Sequence, residues 1–302
     1  MCGKVVTMAF VFSAMLLLPL AGSAGAGSYS FTTIDVPFAD ADGVTVITAI
    51  NSNGLMAGFY VNTTGKPHAF VDNHGAFSII DVPFAGAVST FVNWINPAGY
   101  IVGYYVDASN ILHGYLDNHG SFTQFDVPGA LDTVVTVIQP DGKTILGVYV
   151  DSGGKVHGFL QGNGAFTTID VPFNGAVGTS ANVINPRGEI AGIYDDSGGV
   201  AHGFLEHKGV FTKIEPPVPG GTFDAVGFGG VNAINPSGEI GGFYFDSGGV
   251  SHGYIDQKGV FTIVDVPGAT FTLVLGNNAS GRLVGVYGDS SGLQHGFLAT
   301  PH

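Results

Sequence analysis

FTTIDVP at Phe31–Pro37 returns as FSIIDVP at Phe77–Pro83, FTQFDVP at Phe122–Pro128, FTTIDVP at Phe166–Pro172, FTKIEPP at Phe211–Pro217 and FTIVDVP at Phe261–Pro267. Successive copies begin 46, 45, 44, 45 and 50 residues apart. A fixed period of this size marks a repeat architecture in which each copy is one supersecondary unit. The longer fifth spacing comes from extra residues at Pro219 to Gly230, between two strands, where an insertion costs least.

Working outward from that heptad, each copy contains three further strand-like stretches. The first is apolar, contains Thr and ends in Ile-Asn, as in TFVNWIN at Thr90–Asn96. An Asn-Pro-x-Gly turn follows at Asn96–Gly99, then a strand ending in Tyr at Tyr100–Tyr105. An Asp-Ser-Gly-Gly turn, as at Asp151–Gly154, leads to a strand carrying His-Gly-Phe-Leu, as at His157–Leu160. Short runs of β-branched and aromatic residues punctuated by Gly, Pro, Asn and Asp are strand and hairpin signals. We label the strands A (to Ile-Asn), B (to Tyr), C (His-Gly-Phe-Leu) and D (Phe to Pro).

Three tight turns and one longer connection per unit describe a four-stranded antiparallel meander, the blade of a β-propeller. The competing architecture, an open solenoid, needs atypical capping repeats. Here the outer copies are as regular as the inner ones. The chain also begins with a lone D strand near Phe31 and ends with a lone C strand at His295–Leu298. Pairing one with the other completes a last blade and removes the open edge. The expectation is an all-β, six-bladed propeller of four-stranded antiparallel blades, closed by the N-terminal strand pairing onto the last blade.

Lys4, the apolar run Val5–Leu20 and the small residues after it form a secretory signal peptide, which places the mature single domain at 27–302 after a leader at 1–26. The apolar run is short for a membrane span and nothing later replaces it. The expected product is a secreted or extracytoplasmic monomer. Its one cysteine, Cys2, falls in the leader, so no disulfide or thiolate metal site is expected. Without Lys4 the chain has 8 basic and 23 acidic residues, a net charge of −15. That balance argues against nucleic acid or an anionic membrane surface as a partner.

These residues resemble the HAF-type extracellular repeat proteins, named for a tripeptide present here as His68-Ala69-Phe70. The other five copies read His-Gly-Phe or His-Gly-Tyr, and the Ile-Asn-x-x-Gly segment with its following strand is similar too. The likeness spans Phe31 to Leu298. The D strands ending in Asp-Val-Pro depart from it, as does the lack of a C-terminal sorting anchor. The resemblance implies a secreted, propeller-like bacterial protein and supplies no catalytic residues.

Six histidines share one position (His68, His113, His157, His202, His252, His295), and six tyrosines another, from Tyr60 to Tyr287. A ring of imidazoles is capable of holding a metal. Catalysis, however, needs one set of differently tuned groups, so a residue present in every blade is first a folding device. Each His is expected to hydrogen-bond to a turn. The Asn ending strand A suits a turn-initiating hydrogen bond, with Gln139 replacing it in the third copy.

In such a meander the D-to-A and B-to-C connections leave on one face and the A-to-B and C-to-D turns on the other. Sorting the charges this way puts sixteen acids and two lysines on the first face. Such carboxylates require turn amides or bound cations. No cofactor is required, but calcium is a possible ligand of Asp107, Asp151, Asp196, Asp246 and Asp289. What breaks the repeat is the one tryptophan, Trp94, and the insertion residues Phe223, Asp224 and Phe228. They are expected on, or leading from, the acidic face near the axis, as a ligand site for a glycan; Trp94 lies well along strand A, where core packing is the commoner role. The sequons at Asn62 and Asn278 carry little weight in a bacterial protein.

No Ser-His-Asp, metal-ligand or phosphate-loop constellation stands at meaningful spacing, which favours a non-catalytic module over an enzyme. The leading expectation is a secreted binding or scaffold module presenting an acidic face to a cation, glycan or basic protein. The alternative is a polysaccharide-acting hydrolase or lyase using two of those carboxylates.

Overall fold

A computed structural model describes residues 29–38, 43–223 and 230–302. The leader expected at 1–26 and the insertion residues Asp224 and Phe228 lie outside them. The described residues form 24 β-strands and no helix. The strands assemble into six antiparallel sheets of four. The fold is a six-bladed β-propeller.

Blade 1 comprises β2 (Val44–Ile50), β3 (Met56–Val61), β4 (Pro67–Asn73) and β5 (Ala76–Ile79) as strands A to D. Strand A is β6 (Ala87–Ile95) in blade 2, β10 (Asp132–Ile138) in blade 3 and β14 (Ala176–Ile184) in blade 4. It is β18 (Gly230–Ile234) in blade 5 and β22 (Phe271–Asn277) in blade 6. Each strand A touches strand A of both neighbours, and the ring closes between β22 and β2. Blade 6 continues with β23 (Leu283–Gly288) and β24 (Gln294–Pro301), then takes its fourth strand, β1 (Tyr29–Ile34), from the other end of the chain. That pairing runs in register from Tyr29 opposite Pro301 to Ile34 opposite Gly296. The expected closure is present.

Every strand A carries a β-bulge against strand B, which leaves Thr48, Asn93, Thr136, Asn182, Asn232 and Leu275 outside the ladder. A bulge bends its strand and adds twist, as an inner strand crowded around an axis requires. Strand B answers each bulge with a glycine, for example Gly58 opposite Ile47 and Gly103 opposite Val92. A Cβ on any of these six glycines would collide with a strand-A carbonyl. The glycine-rich composition is thus partly a condition for bending the inner hairpin.

The core lies between blades. The aromatic residue of His-Gly-Phe is its deepest element: Phe70, Tyr115, Phe159, Phe204, Tyr254 and Phe297 are all buried. Burying one such ring stabilises by roughly 1.5–3 kcal/mol. The preceding glycine has its own reason, since a Cβ on Gly158 would press on Ala181 of the next blade, and one on Gly253 on Val274. Where Tyr replaces Phe, its hydroxyl donates to a strand-A carbonyl, Tyr115 to Phe91 at 3.1 Å and Tyr254 to Gly230 at 2.9 Å. The repeated Thr of strand A accepts the amide of the Asp-Val-Pro valine before it, as in Val127 to Thr133 and Val266 to Thr272, both 3.0 Å.

Candidate functional site at the propeller axis

The Asn ending strand A does more than initiate a turn. Asn51 Oδ1 accepts the amides of Asn53 at 2.9 Å and Leu55 at 3.0 Å, the turn expected from sequence. Its Nδ2 donates across the blade junction to the carbonyl of Asn96 at 3.1 Å. Asn96 Nδ2 donates to Gln139 O at 3.1 Å, Gln139 Nε2 to Asn185 O at 3.0 Å, and Asn185 Nδ2 to Asn235 O at 3.2 Å. Asn278 Nδ2 returns to Asn51 O at 3.1 Å, across the seam between the chain ends. In blade 3, where the turn is longer, the two tasks are divided. Gln139 uses its extra methylene to keep the inter-blade bond, and Asp141 Oδ1 accepts the turn amides of Lys143 and Thr144 at 2.8 and 2.9 Å.

A second belt runs through the bulge residues. Thr48 Oγ1 donates to Val92 O at 2.7 Å, and Asn93 Nδ2 to Val135 O at 2.8 Å. Thr136 Oγ1 donates to Ala181 O at 3.2 Å, and Asn182 Nδ2 to Val231 O at 2.9 Å. Both belts change between blades 5 and 6. There Asn235 Nδ2 turns to Glu239 Oε1 at 3.4 Å, and Asn232 Nδ2 is buried with no hydrogen-bond partner. Leu275, the bulge residue of blade 6, has no polar group to offer.

Inside the first belt is a shallow bowl of about 80 Å³ on the axis, lined by strand-A ends and A-to-B turns from all six blades. Pro97, Pro140, Pro186 and Pro236 line it, and among the described residues no charged side chain does. Beyond Gln139, and Ser52 and Ala279 where the other turns carry proline, sixfold symmetry is broken at two strand-A positions. Trp94 stands where the other blades carry Ala49, Val137, Val183, Ala233 and Gly276, so one wall is a large, half-buried aromatic. Asn277 stands where the others carry Ile50, Ile95, Ile138, Ile184 and Ile234. It is only 2% exposed; its Nδ2 donates to Glu239 O at 3.0 Å, and its Oδ1 is buried without a partner.

The placement of Trp94 corrects the sequence expectation. Trp94 is the penultimate residue of β6 and opens onto the A-to-B end of the axis, opposite the acidic connections. The signal was available, because Trp94 is two residues from the Asn96 turn and eleven from Pro83, at the acidic end. Phe223 is likewise not an exposed ligand platform. It is 4% exposed, bridges to Ala201 and stacks on Tyr254 with ring centroids 6.3 Å apart, as core between blades 4 and 5. Asn277 was missed, although Asn-Asn in place of Ile-Asn was visible in the sequence.

On the opposite face the repeated histidines do hold turns. Each stacks on the repeated Tyr of its blade, with ring centroids 5.0–5.5 Å apart. In blade 3, His157 Nδ1 lies 2.9 Å from Asp170 and its Nε2 lies 3.3 Å from Asp151. His113 is held likewise between Asp126 and Asp107, His252 between Asp265 and Asp246, and His295 between Asp35 and Asp289. Blade 1 substitutes Asn62 for the turn carboxylate, and in blade 4 His202 pairs with Asp196.

The five aspartates considered for calcium are these turn residues. Asp151 Oδ1 accepts the amides of Gly153 and Lys155, and Asp107, Asp196, Asp246 and Asp289 repeat the pattern. Turn amides, led by those of Ile111, Lys155 and Val200, hold Asp107, Asp151 and Asp196 below the usual carboxylate range. The Ser291 hydroxyl, with the Leu293 amide, draws Asp289 down to about 2. Among the described residues no three His, Asp or Glu side chains converge to hold a metal.

No family model matches the chain, and no curated protein matches its sequence. Solved structures do match its shape. Aleuria aurantia lectin, a fungal six-bladed β-propeller described by its fucose recognition, is 12% identical, with a TM-score of 0.53 over 85% of this chain and 90% of the lectin. AofleA from Arthrobotrys oligospora is 10% identical, with a TM-score of 0.54 over 90% of this chain and 86% of that one. The β-propeller domain of the Trilobed protease from Pyrococcus furiosus is 11% identical, with a TM-score of 0.51 over 85% and 93%. A lectin and a domain of a protease share the frame, so the likeness is one of fold.

Proposed function

We propose that this protein is an exported, non-catalytic carbohydrate-binding propeller whose glycan site is the axial bowl. The observation that carries the reading is the single departure of Trp94 from small residues at the mouth of an otherwise repeated ring. An indole packs against the C–H face of a sugar while nearby polar groups take its hydroxyls. The bowl joins an aromatic wall to isoleucine and proline sides, with Ser52 and the amide side chains of Asn235 and Asn277 among its polar residues. A charged ligand would find no charged partner in it.

The disposition of the ionisable groups points the same way. Histidines and aspartates that would be candidates for acid–base work in a hydrolase are engaged pairwise, blade after blade, in holding turns. The net charge of −14 disfavours polyanions, and the uncharged lining of the bowl favours a neutral ligand. The likeness to lectin propellers and the resemblance to HAF-type extracellular repeats are consistent with this role.

Trp94 is the only tryptophan, so its fluorescence reports on the bowl alone. Titration with neutral methyl glycosides and short neutral oligosaccharides should give a saturable emission change, and Trp94→Ala should abolish binding measured by calorimetry. If no glycan binds the unaltered protein by either method, the reading is wrong.

A further inference from the structure

The bowl has a polar reader as well as an aromatic wall. We infer that Asn277 is its specificity-determining residue, and that it accepts a hydrogen bond from one hydroxyl of a terminal, uncharged sugar unit lying against Trp94. This inference rests on the carbohydrate reading above and adds the ligand's chemistry to it.

Asn277 occupies a position at which every other blade has isoleucine, so neither the turn nor the inter-blade contact needs an amide there. Its orientation is determined by its neighbour. The Nδ2 faces the carbonyl of Glu239 at 3.0 Å, and a flipped amide would set two acceptors against each other. Oδ1 is therefore an acceptor, at a residue 98% buried that lines the bowl, and it has no partner. A buried acceptor left unpaired is costly, so Oδ1 calls for a donor that the chain does not supply; it has no exposed surface, and a ligand hydroxyl meets it when the amide turns toward the bowl.

A second orphan lies at the same junction. Asn232 Nδ2, on strand A of blade 5, is a buried donor with no partner, where four other bulge side chains reach the next blade. Asn232 does not line the bowl, so the ligand's chemistry is set by Asn277: an acceptor takes a hydroxyl and not a carboxylate, which only accepts, and the uncharged lining offers no partner to an ammonium. The bowl's volume of about 80 Å³ is well below the roughly 300–1,000 Å³ of sites that enclose drug-sized ligands. It takes one edge of a terminal unit, with the rest of any glycan outside.

The test combines Asn277→Ile, which gives blade 6 the residue of the other five, with monodeoxy analogues of the best-binding neutral methyl glycoside. Removing one particular hydroxyl should weaken binding to the unaltered protein about tenfold, the worth of a hydrogen bond. Asn277→Ile should weaken the parent glycoside to a similar degree and be indifferent to that deoxygenation. If Trp94→Ala abolishes binding while Asn277→Ile binds the parent as tightly as the unaltered protein, this inference falls and the carbohydrate reading stands. If the unaltered protein binds no glycoside, both fall. Should Asn277→Ile fail to fold, the deoxy series on the unaltered protein decides, and equal affinity for every analogue overturns the assignment.

Discussion

His295 Nδ1 lies 3.0 Å from Asp35 Oδ1, joining residues 260 positions apart at the closure of the ring. The same imidazole faces Asp289 Oδ2 through Nε2 at 3.5 Å, so one histidine ties strand C of blade 6 both to its own turn and to the N-terminal strand. Equivalent links within other blades join residues only 13 positions apart, as in His157 to Asp170. Of these His–Asp links, only the seam pair joins the two ends of the chain, beside the β1–β24 ladder.

His295→Ala should accordingly lower stability only modestly, by about 0.5–1 kcal/mol, because the pair is partly exposed. Deleting Tyr29–Ile34 should cost far more, since it strips a strand of six paired residues from β24 and exposes a long edge. Chemical denaturation of both variants, with light scattering for the deletion, checks the ranking. Equal losses would mean that closure resides in the ion pair and not in the ladder.

Stability should depend on pH in two limbs. Asp107, Asp151, Asp196 and Asp289 have folded pKa values below their unfolded ones, so their contribution is present above about pH 4 and is lost as pH falls through the folded values. His252 is shifted up, chiefly by its hydrogen bond to Asp265 and also by Asp246. Its contribution is complete below about pH 6.5 and is lost as pH rises through the raised value. The melting temperature should therefore peak between about pH 4 and pH 6.5, and His252→Asn should flatten the alkaline limb. A curve that rises steadily to pH 9 would contradict this assignment.

Asn96 is fully buried, donates to Gln139 O at 3.1 Å and accepts the Tyr100 amide at 3.0 Å. Asn96→Leu strands both partners, each at about 1–3 kcal/mol, so a loss of about 3 kcal/mol is expected from denaturant unfolding. Gln139→Asn keeps the amide but shortens its reach, and the expected loss is about 1 kcal/mol. No measurable loss from Asn96→Leu would show that the axial belt is incidental to stability.

Phe223 and Trp94 were grouped together by sequence, and the structure separates them. Phe223→Ala should destabilise by about 3–5 kcal/mol as a core truncation while leaving the affinity of the folded protein for any axial ligand unchanged. Trp94→Ala should cost less on unfolding, because the indole is only half-buried although it packs on the core between blades, and should abolish ligand binding. Parallel unfolding and calorimetry on both variants test the separation.

Calcium should shift the melting temperature by less than about 1 °C relative to chelator, because Oδ1 of each turn aspartate already accepts two amides and Oδ2 faces a histidine. A rise of several degrees would show that the acidic turns bind the ion after all.

The period, the four strands per unit and the closure of the ring were all legible in the sequence. Each depends on local pattern: β-branched runs between turn residues, a fixed spacing, and chain ends that complete each other. The turn role of Asn51 and the link between His157 and its turn were legible for the same reason, since each involves partners within one blade. The inter-blade belts were not. Asn51 to Asn96 and Asn278 to Asn51 pair side chains with carbonyls one blade away, and no short-range pattern encodes which neighbour a side chain faces. Only the tertiary structure put Phe223 in the core, turned Trp94 to the end of the axis away from the acidic connections, and left Asn277 Oδ1 without a partner. Sequence periodicity specifies which strands form and in what order, whereas burial and unpaired hydrogen-bonding groups appear only once neighbouring blades close around a common axis.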